Sequence, residues 1–301
     1  MRPTLCLLPL LLAAPCAGQQ PLVEAPRAAR VPATIRWSPE PVVEGTLFTI
    51  VIEGGSPQVH RAAGTFAGQP LHFSTGADGV VTALAAAPLD SIGSLALQVQ
   101  LALADSTSDS RTLTVPVERG TYTMQRLTVA PEFGRPQPPE IQRRIAAEAA
   151  RAREVSRRAH QTPRLWEPPF TAPRASRITS GFGHGRMYNN QIQSRHTGTD
   201  YAGVVGAPVL APARAVVALV DDFYLGGGVV YLDHGGGLVT AYLHLSAQLV
   251  AEGDTVAAGQ VIGRVGASGR VTGPHLHWIV RYGSHTVDGL SLLNLPTALK
   301  D

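Results

Sequence analysis

Apolar and polar residues alternate over short stretches along most of the chain, which is the period-two signature of half-buried β-strands. In the front half the runs 48–52, 80–84, 95–99 and 113–117 are rich in Val, Ile, Leu and Thr. Gly, Pro, Asp and Ser separate them, and this spacing predicts a small β-sandwich over residues 33–123. In the back half the runs 209–211, 215–220, 229–233, 239–243, 261–265 and 275–282 recur between Gly-containing turns. They predict a compact, mostly antiparallel β-sheet domain over residues 177–297. One stretch has a different texture. Residues 141–160 are rich in Ala, Arg and Glu and read as a helix, after a segment broken by Pro131, Pro136, Pro138 and Pro139. That helix belongs to a Pro-rich connector, residues 124–176. Its arginines at 143, 144, 151, 153, 157 and 158 read as a solvated face, and the aromatic stretch from Trp166 to Phe170 should pack on the domain that follows. The expected fold class is therefore mostly β, in two β domains joined by one helical connector.

The beginning of the chain changes the picture of where this fold works. Arg2 precedes an apolar run from Leu5 to Ala14, interrupted by Pro9 and too short to span a bilayer as a helix. With Ala17 and Gly18 as small residues for cleavage, residues 1–18 read as a secretory signal and residues 19–32 as an extended linker. The expected location is the periplasm or cell envelope. Both cysteines, Cys6 and Cys16, fall inside this leader, so a chain cut near Gly18 uses no disulfide. A lipid anchor at Cys16 is the alternative to simple cleavage, and Pro15 fits it poorly. No other stretch is apolar enough for a transmembrane helix. The formal net charge of +3 rests almost wholly on arginine, with Lys300 the single lysine, and is too small to argue for nucleic acid.

Candidate chemistry is confined to the back half. In Gly273-Pro274-His275-Leu276-His277-Trp278 the alternation places His275 and His277 on one strand face, about 6–7 Å apart. In His196-Thr197-Gly198-Thr199-Asp200 an imidazole and a carboxylate can converge if Gly198 lets the chain bend. His196, Asp200 and one histidine of the 275/277 pair would make three ligands, the number a catalytic zinc site takes from its protein. Alternation also places Tyr242, His244 and Ser246 on one face. His244 and the remaining histidine of the pair are then free to move protons or steady an oxyanion. The motif His-Glu-x-x-His is absent from the sequence, so no glutamate base is indicated. His60, His72, His184, His234 and His285 read as packing, turn or exposed residues.

The stretches 178–186 (ITSGFGHGR), 194–203 (SRHTGTDYAG), 207–217 (APVLAPARAVV), 229–246 (VVYLDHGGGLVTAYLHLS) and 253–280 (GDTVAAGQVIGRVGASGRVTGPHLHWIV) resemble, in order and spacing, the catalytic domain of the lysostaphin-type, or LytM-like, zinc metallopeptidases. The resemblance implies one zinc ion per chain, held by His196, Asp200 and His277, with His244 and His275 catalytic. It also implies a β-sheet groove that takes a peptide of peptidoglycan. More loosely, residues 123–133 resemble the joint that follows a β-sandwich in some Gram-negative members. Two departures stand out. Asp288 is followed by Gly289 where relatives often have proline, which should affect only a terminal turn. Residues 188–195 differ from many relatives; Asn189 or Asn190 could contact substrate or mask the zinc, although loop filling is the preferred reading. The reading that follows is an exported zinc endopeptidase of peptidoglycan. Its rivals are an inactive relative that binds and activates a wall amidase, and a carbohydrate-binding β protein. A membrane or division-machinery partner is left open as an unidentified third party.

Overall fold

A computed structural model describes residues 30–296 of the chain; the leader, most of the linker and the choice between anchor and cleavage at Cys16 lie outside the described residues. Nine strands come first: β1 (Thr34–Ser38), β2 (Val42–Val43), β3 (Leu47–Glu53), β4 (Val59–Phe66), β5 (Gln69–Leu71), β6 (Ser74–Thr75), β7 (Val81–Ala86), β8 (Gly93–Leu103) and β9 (Ser108–Glu118). They form two sheets, ordered β1-β3-β7-β6 and β2-β9-β8-β4-β5. In β8 the alternation is plain: Leu97, Val99 and Leu101 are buried while Gln98 and Gln100 face water. With Phe48, Ile50 and Ile52 of β3 and Val115 and Val117 of β9 they fill the core between the sheets.

The rest of the chain begins with β10 (Met124–Leu127) and α1 (Pro139–Arg158), continues through β11 (Ile178–Ser180), β12 (Gly185–Tyr188), β13 (Ile192–Arg195), β14 (Thr199–Ala202), β15 (Pro208–Leu210), β16 (Ala215–Phe223), β17 (Gly227–Gly235), β18 (Leu238–Gln248), β19 (Thr255–Val256), β20 (Val261–Val265), β21 (His275–Tyr282) and β22 (His285–Val287), and ends with α2 (Gly289–Leu293). The main sheet runs β11-β14-β21-β18-β17-β16-β19, with β15, β20 and β22 attached. On one face Leu276, Trp278, Val280 and Tyr282 of β21 join Leu238 and Tyr242 of β18 in the largest core. Leu47, Leu84 and Ala86 of the sandwich belong to that same core, so the two halves share buried surface. Trp166 and Phe170 close it, with ring centroids 5.1 Å apart.

The opposite face is divided. At one end α1 packs Ala152, Val155 and Ala159 on Leu219, Val229, Tyr231, Val239 and Ala241. Its arginines lie outside this contact, and several pair with acids: Arg144 with Glu148, Arg151 with Asp221, Arg157 with Glu154. The other end of the face is roofed by a second, three-stranded sheet in which β10 runs parallel to β12 and β12 antiparallel to β13. The sequence assigned 124–127 to a connector whose one element is a helix. The structure makes it a strand, because β12 offers it a free edge far along the chain. No helix among the described residues is long and apolar enough to cross a membrane.

His234 corrects a further expectation. It is a residue of β17, not of the hairpin turn, and it is completely buried. Its Nδ1 lies 3.0 Å from the Arg214 carbonyl and its Nε2 2.8 Å from Thr240 Oγ1, which in turn lies 2.9 Å from the Tyr242 hydroxyl. Donation from Nδ1–H, with Nε2 accepting from Thr240, satisfies this chain only while the ring is neutral. Burial accordingly pushes its pKa down to about 4. Between pH 6.5 and 4 the unfolded chain binds the extra proton and the folded one does not, so stability falls as the pH drops through that window. Denaturant unfolding should show this side chain costing roughly 3 kcal/mol by pH 4, and His234→Gln should flatten the dependence.

Candidate metal and catalytic centre

Register creates the centre. In the antiparallel pair β14–β21, Asp200 stands opposite His277 and Thr199 opposite Trp278. Directly paired residues share a face. Thr199 and Trp278 therefore point into the core, and Asp200 and His277 toward the open face. Asp200 Oδ1 lies 2.7 Å from His277 Nδ1. His196 reaches in from the loop before β14, with Nε2 3.0 Å from Asp200 Oδ1 and 3.1 Å from His277 Nδ1. All three residues are buried, and their donor atoms lie within 4.8 Å of one another.

Gly198 has a different job from the bend the sequence suggests. Its backbone is not in the left-handed region, but an added Cβ would sit 2.5 Å from the Trp278 carbonyl oxygen and 2.8 Å from the His277 ring. Only glycine lets this loop lie against β21, and that contact is what delivers His196.

The donor chemistry fits a cation. His196 Nδ1 donates to the Gly181 carbonyl, which leaves Nε2 as a bare lone pair. That lone pair faces a carboxylate oxygen and a second imidazole nitrogen, an arrangement a metal ion satisfies at once. Burial alone would raise the Asp200 pKa, but hydrogen bonds and charge from His196 and His277 outweigh it and hold the carboxyl below its usual range. The other oxygen, Oδ2, accepts from Arg186 Nη2 at 2.6 Å, and both side chains are nearly inaccessible. The same guanidinium donates to Ser180 Oγ at 3.0 Å, and Ser180 Oγ lies 3.2 Å from His196 Nδ1. Arg186 thus fixes which carboxylate oxygen is free. The sequence reading missed this residue. Alternation in GRMY puts Arg186 and Tyr188 on one face of β12, but nothing local says what that face meets.

The two remaining histidines flank this group. The His244 ring lies 4.9 Å from His275 and 5.8 Å from His277, centroid to centroid. Strict alternation would have sent His244 into the core beside Tyr242. The structure breaks the alternation there: His244 has φ +64°, and the ladder with β17 shifts register at the same place. Tyr242 stays in the core, His244 turns to the open face and Ser246 is exposed, so the three do not share a face. His244 Nδ1 lies 2.8 Å from the Ser268 carbonyl, and His275 Nδ1 2.8 Å from the Gly273 carbonyl. Each neutral ring therefore presents Nε2 as an acceptor. Burial pushes the pKa of His244 down to about 3 and lowers those of His275 and His277. Asp200, His244 and His275 line a cleft of about 660 Å³ between the main sheet, the three-stranded sheet and the loop 270–274.

The other singled-out residues lie elsewhere. His184 Nδ1 accepts from the Thr123 backbone, His285 bonds the Ala67 carbonyl, and His72 pairs with His160. Asn189 mimics backbone, with its amide bonding both the N–H and the carbonyl of Val129, and neither it nor Asn190 enters the centre. Asp288 caps α2 by accepting from Leu290 N.

A left-handed histidine stores strain that an alanine retains and a glycine does not. His244→Gly should therefore unfold at higher denaturant than His244→Ala, by about 1 kcal/mol, since both lose the same ring. Equal stabilities would show that the backbone there is unstrained.

Residues 194–289 match the model of peptidase family M23. Peptidoglycan DD-endopeptidase ShyC of Vibrio cholerae is 42% identical over 104 residues, which are 34% of this chain and 24% of that protein. The DD-carboxypeptidase/endopeptidase Mpg of Neisseria meningitidis is 42% identical over 122 residues, 40% of this chain and 28% of that one. The chain thus spans about a quarter of the length of the curated relatives it matches. A solved Pseudomonas aeruginosa protein assigned provisionally to peptidase M23 shares 26% identity at a TM-score of 0.64, with 85% of this chain covering 96% of that one. The catalytic domain of lysostaphin from Staphylococcus simulans is 30% identical, with 39% of this chain covering 92% of it at a TM-score of 0.36. The C-terminal β-sheet domain thus carries a peptidase family M23 domain over residues 194–289.

Proposed function

We propose that the chain is an exported zinc metalloendopeptidase that hydrolyses stem peptides or cross-links of peptidoglycan in the cell envelope. The observation that carries this reading is the convergence of His196, Asp200 and His277, with Asp200 reaching the wall of the cleft. Two more imidazoles stand beside them with their Nε2 atoms free. The relative named a peptidoglycan DD-endopeptidase supports the substrate class.

His196 Nε2, Asp200 Oδ1 and His277 Nδ1 would hold the metal. When bound there, zinc supplies polarisation of the scissile carbonyl and a water whose pKa is lowered toward about 7. The protein's own groups do the rest. His244 or His275 accepts a proton from the attacking water at Nε2. Only the ring that has taken this proton can then donate to the developing oxyanion, because each Nδ1–H is already committed to a carbonyl. The same ring returns its proton to the leaving amine. The Asp200 carboxylate, 3.7 Å from His275 Nε2, favours the protonated form of that ring. Arg186 keeps Oδ2 occupied, so Asp200 offers one oxygen.

Purified protein should release peptide-linked fragments from isolated peptidoglycan, read by mass analysis. It should stop in chelator and resume with zinc, at one zinc per chain by elemental analysis. His244→Ala and His275→Ala should keep their zinc and lose about 10²–10⁴-fold in kcat. His277→Ala should lose the zinc itself. Undiminished digestion by both alanine variants would remove these imidazoles from the reaction.

A further inference from the structure

The cleft is strongly cationic, and of its arginines the proposed chemistry uses only Arg186. Arg126, Arg177, Arg186 and Arg270 all line it, and Asp200 is the only carboxylate among its lining residues. Asp200 is already spent on the two imidazoles and on Arg186. Arg177 is exposed and Arg126 reaches only Asn190.

Arg270 is the unusual one. Its guanidinium stacks 4.2 Å from the centre of the Tyr188 ring and makes no salt bridge among the described residues. Its backbone N–H is pinned to the Leu225 carbonyl, so the side chain springs from a fixed point. Burial is the main influence lowering its pKa and the neighbouring Arg186 charge adds to it; Tyr188 acts the other way, through charge and a hydrogen bond, and the net direction is down. A charged group held half-buried without an anion costs free energy unless a ligand completes it. Its guanidinium fork suits a carboxylate, and its stack on Tyr188 sets the plane in which one would bind.

We infer that Arg270, stacked on Tyr188, is the receptor for a free carboxylate carried by the peptide beside the bond that is cut. Arg126 and Arg177 supply a background field that draws an acidic peptide into the cleft. This rests on the endopeptidase reading above and narrows it: the substrate is an anionic peptide, and neutralising its carboxylates weakens binding more than turnover. Arg270 is a specificity residue here and takes no part in moving protons.

The test uses a purified cross-linked muropeptide dimer and the same dimer with its carboxylates converted to amides by carbodiimide and ammonia. The zinc-loaded protein should cut the free-acid dimer with a kcat/KM about 10-fold or more above that for the amide, chiefly through KM. Arg270→Gln should remove most of that ratio by losing the free-acid substrate alone, leaving the small residue due to Arg126 and Arg177, and Arg270→Lys should restore part of it. Equal cutting of both dimers by the unaltered protein, or a full preference surviving in Arg270→Gln, would overturn the inference. If neither dimer is cut, their equilibrium binding reads the same preference. Missing hydrolysis would then count against the endopeptidase reading, and only an equal affinity would count against the carboxylate receptor.

Discussion

The pairing of β14 with β21 is the constraint on which the centre depends. Asp200 faces His277 because Thr199 faces Trp278 and Tyr201 faces Leu276. Trp278, Leu276 and Tyr201 are buried in the largest core and Thr199 is buried beside them, which makes the register expensive to change. A slip of one residue would carry Trp278 to the open face and bury the imidazole in its place. The hydrophobic face of β21 therefore acts as the jig for the polar face. The strand does both jobs at once only because the side-chain period is two.

Around that pair the fold assembles the rest from distant chain. Gly198 lets the preceding loop close on β21 and delivers His196. A left-handed backbone at His244 swings that ring out of the core. Arg186 arrives on β12, which is itself held by β10 from the connector. Ser180 Oγ, which touches both Arg186 and His196, also donates to Gln125 Oε1 on β10. The connector is thus joined by hydrogen bonds to the residues that orient the candidate ligands. It is more than a tether between two β domains.

Much of this architecture was legible in the sequence, and the reason is physical. Long amphipathic strands announce themselves, so the runs at 48–52, 95–99, 229–233, 239–243 and 275–282 all fall inside observed strands. Short strands such as β2, β6 and β12 did not, since a few residues carry no readable period and exist because a partner edge is available. The histidines and the aspartate of the centre were singled out because imidazoles and carboxylates in tight spacing are rare on an apolar sheet. The arginines around the centre were not. Arg186 and Arg270 look like any surface arginine until the fold shows one against a buried carboxylate and the other against a ring. His244 was assigned to the right neighbourhood by the wrong geometry, because alternation assumes a regular strand and the chain leaves regularity there.

The division of the sheet face between α1 and the cleft follows from the same economy. Val239, Ala241 and Ile279 carry the apolar end of the face and give Ala152, Val155 and Ala159 something to cover. Where β21 turns from Ile279 to His277 the apolar surface ends, and a helix extended over it would desolvate imidazoles without offering partners. Contacts at the helix flank fix its position: Glu148 accepts from Tyr224 N, and Arg151 pairs with Asp221. The end left uncovered is met instead by the three-stranded sheet, which brings Arg126 and Arg186 to the cleft. Openness at the centre is thus encoded in where the apolar alternation along β21 stops.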